Sequence, residues 1–227
     1  MLRSFAAPAP LVLALLAGGC TFDGDSEQNA DSDAAARDGD AVQAPAPAPP
    51  SLSLEVDIAS RQLNVYRGGQ RVATHPVAVG SEEWPTPTGE WEIEQVIWNP
   101  RWVPPEESWA EDEEVAEPGD PDNPLGRAQL VYRAPNSIHG TSDTASLGKA
   151  VSHGSIRVAN EVAIELARMA MEAGGAARDE AWYQRARSTP TERMEVVLPN
   201  PIPIRVVAGP VGGGAADSAA NRAAAGR

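Results

Sequence analysis

Apolar and polar residues alternate strictly from Leu52 onward: Leu52, Leu54, Val56 and Ile58 are separated by Ser53, Glu55 and Asp57. A period of two predicts a half-buried strand over 52–58. Leu63 and Val65 continue the alternation, Gly68-Gly69 marks a turn, and residues 72–79 return as a strand. Pro76 inside that return cannot donate to a ladder, which predicts an edge or a bulge there. Further strands are predicted over 91–97, 129–133, 194–198 and 202–207. Between them the period lengthens. Val162, Leu166 and Met169 fall at helical spacing with Glu161, Glu165, Arg168 and Glu172 on the other side. Asn160 stands as an N-cap, Glu161 in the first turn, and Gly174-Gly175 as the stop. A second, polar helix is predicted over 177–187, with Trp182 as its anchor.

Ahead of this block the pattern vanishes. Residues 21–50 are rich in Asp, Ala, Ser and Pro and hold too little apolar surface to offset the entropy of ordering them, which predicts a disordered tether. Residues 209–227 are a Gly/Ala-rich tail. Residues 1–19 have the layout of a signal peptide: Arg3, an apolar run over 11–17, then small residues before Cys20. Leu16-Ala17-Gly18-Gly19-Cys20 resembles a bacterial lipobox, with Ala17 where leucine is usual, so Cys20 is expected to carry lipid and anchor the chain to a membrane. The alternative is a cleaved signal beside an unmodified thiol. Cys20 is the single cysteine of the chain. A formal net charge of −14 argues against a nucleic-acid partner, which would need clustered Lys and Arg.

The candidate chemistry lies in residues 137–158, which contain two of the three histidines, His139 and His153, each followed by glycine. Ser155 sits two residues after His153, ahead of Ile156 and Arg157. A histidine and a hydroxyl brought together at a glycine-lined turn are the minimum for nucleophilic acyl transfer. Sixteen places separate His139 from Ser155, too many for one helical face and suited to two strands whose ends meet. The seven carboxylates from Glu111 to Asp122 lack a ligand spacing and predict a solvated loop rather than a metal site. Five of the six tryptophans lie between Trp84 and Trp109, either as core rings or as a cleft wall.

These residues resemble the active-site signature of the YkuD-type L,D-transpeptidase catalytic domain: His-Gly-Thr at 139–141, a loop, then Ser-His-Gly-Ser-Ile-Arg at 152–157. Thr86-Pro87-Thr88-Gly89-Glu90, Trp98-Asn99-Pro100, Asn123-Pro124-Leu125-Gly126 and the Pro-rich run at 198–204 resemble other family segments in the same order. The resemblance implies an α+β, mainly β domain over 51–208: two packed mixed sheets in a sandwich-like or open-barrel arrangement, with one main helix after the signature. Residues 103–124 read as a lid-like insertion beside the cleft. The family moves an acyl group from the diamino-acid residue of one peptidoglycan stem peptide to an amine, without a cofactor or metal. Carried over by motif, Ser155 stands at the nucleophile, His139 at the base, His153 beside it, and Arg157 at substrate or charge positioning. Ser152, Gly154, Gly140, Thr141 and Trp102 would contact substrate. The chain is then expected in the exported cell envelope, periplasm-facing and lipid-anchored; its oligomeric state is left open.

The family's nucleophile is a cysteine, and here the position holds serine. A thiol ionises near 8.5, whereas an alcohol is closer to bulk water, near 15.7. At about 1.36 kcal/mol per unit the gap is roughly 10 kcal/mol. Serine enzymes avoid a free alkoxide because histidine takes the proton during attack, oriented by a buried carboxylate. No carboxylate for that task is evident; Asp143, four places past His139, reads as a loop cap. Three readings stay open: an active serine acyl transferase, a pseudoenzyme that binds stem peptides, and a domain with a structural role only.

Overall fold

A computed structural model describes residues 50–209. The expected signal peptide, Cys20, nearly all of the tether and the tail beyond Gly209 lie outside the described residues. The order of elements is β1 (Leu52–Asp57), β2 (Gln62–Arg67), β3 (Gln70–Pro76), β4 (Val79–Gly80), β5 (Gly89–Trp98), β6 (Ala128–Arg133), β7 (Asn136–Thr141), β8 (Ala150–Ser152), β9 (Ile156–Ala159), α1 (Asn160–Ala173), α2 (Glu180–Ser188) and β10 (Met194–Val207). Eight strands form one mixed sheet in the order β3-β2-β1-β10-β5-β6-β7-β9, and β4 pairs with β8 in a second sheet of two. The class is α+β, mainly β, and the two sheets are very unequal. Among the described residues no helix is long and apolar enough to cross a membrane.

The alternating strands bury one face. Leu52, Leu54 and Val56 of β1, Leu63 and Val65 of β2, and Ile202, Ile204 and Val206 of β10 are all buried and belong to one core. The predicted return strand stops at Pro76, which ends the β2–β3 ladder on the sheet edge. The next three residues, Val77 to Val79, leave that edge and become fully buried; Ala78 pairs with Arg157 and Val79 with Ala150. The two closing strands are one, β10, whose register against β5 shifts between Val197 and Ile202.

The helices differ from expectation in detail. Asn160 does not cap α1; its Oδ1 accepts the Arg127 N–H at 2.9 Å, and no side chain caps that end. The buried face of α1 is Ala163, Ile164, Leu166, Ala167, Ala170 and Met171, while Val162 and Met169 are partly buried. Small alanines win the inner positions because the helix packs close on β5, β6 and β7. In α2 the deep anchor is Tyr183, 1% exposed, with Trp182 set edge-on against the buried Trp98.

The excursion between β5 and β6 is pinned at both ends by asparagines. Asn99 donates through Nδ2 to the carbonyls of Ala186, Thr189 and Glu192 and accepts from Arg127 through Oδ1. Asn123 donates to the carbonyls of Pro100 and Glu117 at 2.8 and 3.2 Å. Trp102 and Ala116 close a two-residue bridge across the insertion, and its tip is a 3-10 turn, Ser108–Ala110.

Candidate active site

Parallel pairing of β7 with β9 builds the site. Ile138 pairs with Ile156 and His139 with Arg157. Both isoleucines are fully buried in the core, so by the two-residue period of a strand Ser137, His139, Ser155 and Arg157 share the opposite face. All four line a cleft of about 450 Å³, together with Ser152, His153 and Trp102. The insertion closes one side of that cleft through Glu107, Trp109 and Glu113. A larger hollow of about 630 Å³ on the sheet face is lined by Glu55, Tyr66 and Arg205. Glu55 and Arg205 are already paired there, and it holds no histidine or candidate nucleophile.

Ser155 lies at the end of the turn leading into β9. Its Oγ accepts the backbone N–H of Ser137 at 3.3 Å, and its carbonyl accepts the Ser152 hydroxyl at 2.5 Å. Gly154 makes the turn with φ of +95°, a conformation other residues adopt only with strain. His139 is 5% exposed, and its Nδ1 lies 2.9 Å from the Gly140 carbonyl. A carbonyl only accepts, so the neutral ring carries its proton on Nδ1, facing Gly140. Burial pushes this imidazole down to about 4; Arg157 adds to the effect, and the Gly140 and Pro124 carbonyls oppose it. Among the described residues no hydrogen bond joins His139 to Ser155.

His153 is exposed and differently held. Its ring lies flat against Trp109, with centroids 3.8 Å apart and planes within 3°, and Trp84 meets it edge-on at 6.0 Å. The Trp109 indole N–H donates to Glu107 Oε2 at 2.9 Å. Partial burial lowers the His153 pKa, Arg157 adds to this, and Glu107, Glu83 and Glu113 oppose it. Burial also lowers the Arg157 guanidinium, with Asp143 opposing. Among the described residues no carboxylate forms an ion pair with Arg157.

Three of the residues predicted to contact substrate do other work. Gly140 is buried with the Asn160 Oδ1 where a Cβ would stand, 2.3 Å away, and its carbonyl holds His139. Thr141 is buried and its Oγ1 accepts the Asp143 N–H at 3.1 Å. Gly154 is buried, and a Cβ there would stand 2.9 Å from Asn136 Nδ2. Asp143 does not cap the following turn with its side chain; its carbonyl accepts the Ser146 hydroxyl instead. Sequence reasoning passed over Asn136 and the Ser137 N–H, because neither carries a motif and both gain meaning only from the β7–β9 pairing. Glu107 carries no local sequence signal of its contact with Trp109. Among the described residues no group of three or more His, Cys, Asp or Glu is placed to hold a metal ion.

The chain resembles proteins of one kind. Over 113 residues it is 33% identical to the "Putative L,D-transpeptidase YkuD" of Bacillus subtilis, covering 49% of this chain and 56% of that relative. Over 115 residues it is 31% identical to the "Probable L,D-transpeptidase YbiS" of Escherichia coli, covering 46% of this chain and 37% of the relative. The chain thus spans about half the length of the first relative and less of the second. Among solved structures, an L,D-transpeptidase from Mycobacterium smegmatis matches 69% of this chain and 58% of its own at 18% identity and a TM-score of 0.43. L,D-transpeptidase 3 from Mycobacterium tuberculosis matches 70% and 61% at 16% identity and a TM-score of 0.44. The sequence profile of the YkuD family, the L,D-transpeptidase catalytic domain, matches residues 52–196. With that match across most of the folded region, the chain belongs to the YkuD family of L,D-transpeptidase catalytic domains.

Proposed function

We propose that this chain is an acyl transferase acting on peptidoglycan stem peptides, with Ser155 as nucleophile and His139 as base. The observation that carries the reading is the parallel β7–β9 pairing, with Ser155, His139 and Arg157 lining one open cleft. Ser155 Oγ attacks the carbonyl of the diamino-acid residue, and its proton passes to His139 Nε2 as the C–Oγ bond forms. The carbonyl π pair moves onto oxygen. When the intermediate collapses, the C–N bond to the terminal D-alanine breaks and that amine leaves with the proton from His139. An acceptor amine then attacks the ester, gives its proton to His139, and Oγ departs by taking that proton back. The unpaired Arg157 guanidinium suits a substrate carboxylate near the reacting centre. The reading includes export, attachment to the envelope membrane through Cys20, and a tether that lets the domain reach the wall.

A second reading, a wall-binding module without turnover, has an observation of its own. His139 is oriented by a backbone carbonyl and held near 4, whereas serine enzymes back their histidine with a carboxylate. The deciding experiment is mass spectrometry of the purified protein after incubation with a carbapenem or a stem tetrapeptide. An adduct on Ser155 that is absent from Ser155→Ala supports the enzyme. Saturable binding of wall fragments with neither adduct nor turnover supports the module and removes the first reading.

A further inference from the structure

Asn136 opens β7, one residue before the Ser137 N–H that holds the candidate nucleophile, and the residue is 9% exposed. Its Oδ1 accepts a hydrogen bond from Arg133 Nη1 at 3.0 Å. A guanidinium has only donors, so this contact settles which way the amide faces: oxygen toward Arg133, NH2 away from it. The Arg133 guanidinium is itself held over the Trp91 ring, 6.0 Å from its centroid.

The NH2 group therefore turns onto the nucleophile turn. A Cβ at Gly154 would lie 2.9 Å from Asn136 Nδ2, so the missing side chain is what admits the amide to that position. Asn136 also lines the cleft that holds Ser155 and His139. Among the described residues no acceptor takes the protons of this amide, although neighbouring asparagines spend theirs fully: Asn99 and Asn123 each donate to three carbonyls. The amide nitrogen is not among the fully buried unpaired atoms, so its unspent donors stay open to solvent, and in the cleft they are available to an acceptor that arrives with a ligand. The N–H of Ser155 likewise has no backbone acceptor among the described residues.

We propose that the Asn136 side-chain amide is a catalytic oxyanion donor, acting with the Ser155 N–H on the oxygen of the attacked carbonyl. No proton is transferred in this role: the amide hydrogen-bonds the oxygen while it carries the π pair and releases it when the carbonyl re-forms. Donors aimed at developing charge are usually the largest single catalytic contribution. They matter most here, where the nucleophile is an alcohol and the base has no carboxylate behind it. Arg133 is a positioning residue, since it fixes the direction of the amide without reaching the cleft.

The proposal rests on the acyl-transfer reading, so its test runs in two backgrounds, the native Ser155 and Ser155→Cys. Acylation by a carbapenem is followed by adduct mass against time and concentration. Asn136→Ala should slow saturated acylation on the order of 10²- to 10³-fold and leave the half-saturating concentration unchanged. Asn136→Asp keeps the shape and the Arg133 contact but only accepts, so it should be slower still. Arg133→Met should fall between the two parents and Asn136→Ala, because the freed amide can turn. Adducts with cysteine but not with serine would sink the serine reading while still measuring the Asn136 effect. The proposal is overturned if Asn136→Asp acylates within about threefold of its parent in both backgrounds, if the loss lies wholly in half-saturation, or if neither background acylates. It is also overturned if both Asn136 variants unfold below the assay temperature, since the residue is then structural.

Discussion

The dipeptide His-Gly occurs twice within sixteen residues, and the two copies live in opposite environments. His139 is on a strand paired on both sides, almost sealed from solvent, with its tautomer set by the Gly140 carbonyl. His153 is on an exposed turn, and what it touches is the flat ring of Trp109 from the β5–β6 insertion. The glycines differ as well. Gly140 is small because Asn160 Oδ1 fills the space beside it, whereas Gly154 supplies a left-handed turn and room for Asn136. On the proposed function, proton transfer falls to the buried ring, whose neutral form burial favours. The exposed ring serves as the surface on which the insertion rests.

The sharpest way to break this comparison is to remove each imidazole in turn. His139→Gln should lower the acylation rate on the order of 10²- to 10⁴-fold, the usual worth of a general base, while thermal unfolding near pH 8 changes little. A rate within tenfold of the parent would mean that the buried histidine is not the base. Its acid limb also follows from burial: with His139 neutral down to about 4, acylation should hold its rate well below 6.5.

Next in size is the pH dependence of stability. The folded-state pKa of His139, about 4, lies below the unfolded value of about 6.5, so between them the unfolded chain binds more protons. Stability is therefore complete above about 6.5, is lost as pH falls toward about 4, and changes no further below that from this group. The full difference is worth about 3 kcal/mol, and roughly 2 kcal/mol at pH 5. Unfolding free energies from urea melts, near equal for the parent and His139→Gln at pH 8, should separate by about that much at pH 5, with the parent the less stable. Parallel curves would show that His139 is not sealed from solvent.

The smallest effect belongs to the stack. Trp109→Ala removes a contact worth about 0.5–1.5 kcal/mol, so half-saturation should rise roughly two- to tenfold with the saturated rate nearly unchanged. With the covering ring gone, the His153 resonance should titrate closer to the ordinary histidine value, and the His139 resonance should not move. An unmoved His153 titration would mean that the ring does not rest on Trp109.

Much of the sheet was legible because a strand writes its burial locally, every second residue. β1, β2 and the two halves of β10 stand where the alternation predicts them. The α1 face was read only in part, because three of its six buried positions, Ala163, Ala167 and Ala170, are alanines, which a search for large apolar residues passes over. Asn160 was misread for a related reason. Its helix-start position fits a cap, but Arg127, thirty-three residues away in the chain, offers the N–H that its side chain takes.

By itself the sequence determined the family signature, the alternating strands, the glycine stop of α1 and the residue types gathered at 137–158. These are local properties, readable from neighbours a few places apart. Only the tertiary structure decided that β7 lies parallel to β9, which of the two histidines is buried, and that Trp109 comes to rest on the other. It also decided that Arg133 turns the Asn136 amide toward Gly154. Desolvation, stacking and the direction of an amide depend on atoms brought close by folding, and no spacing along the chain encodes them.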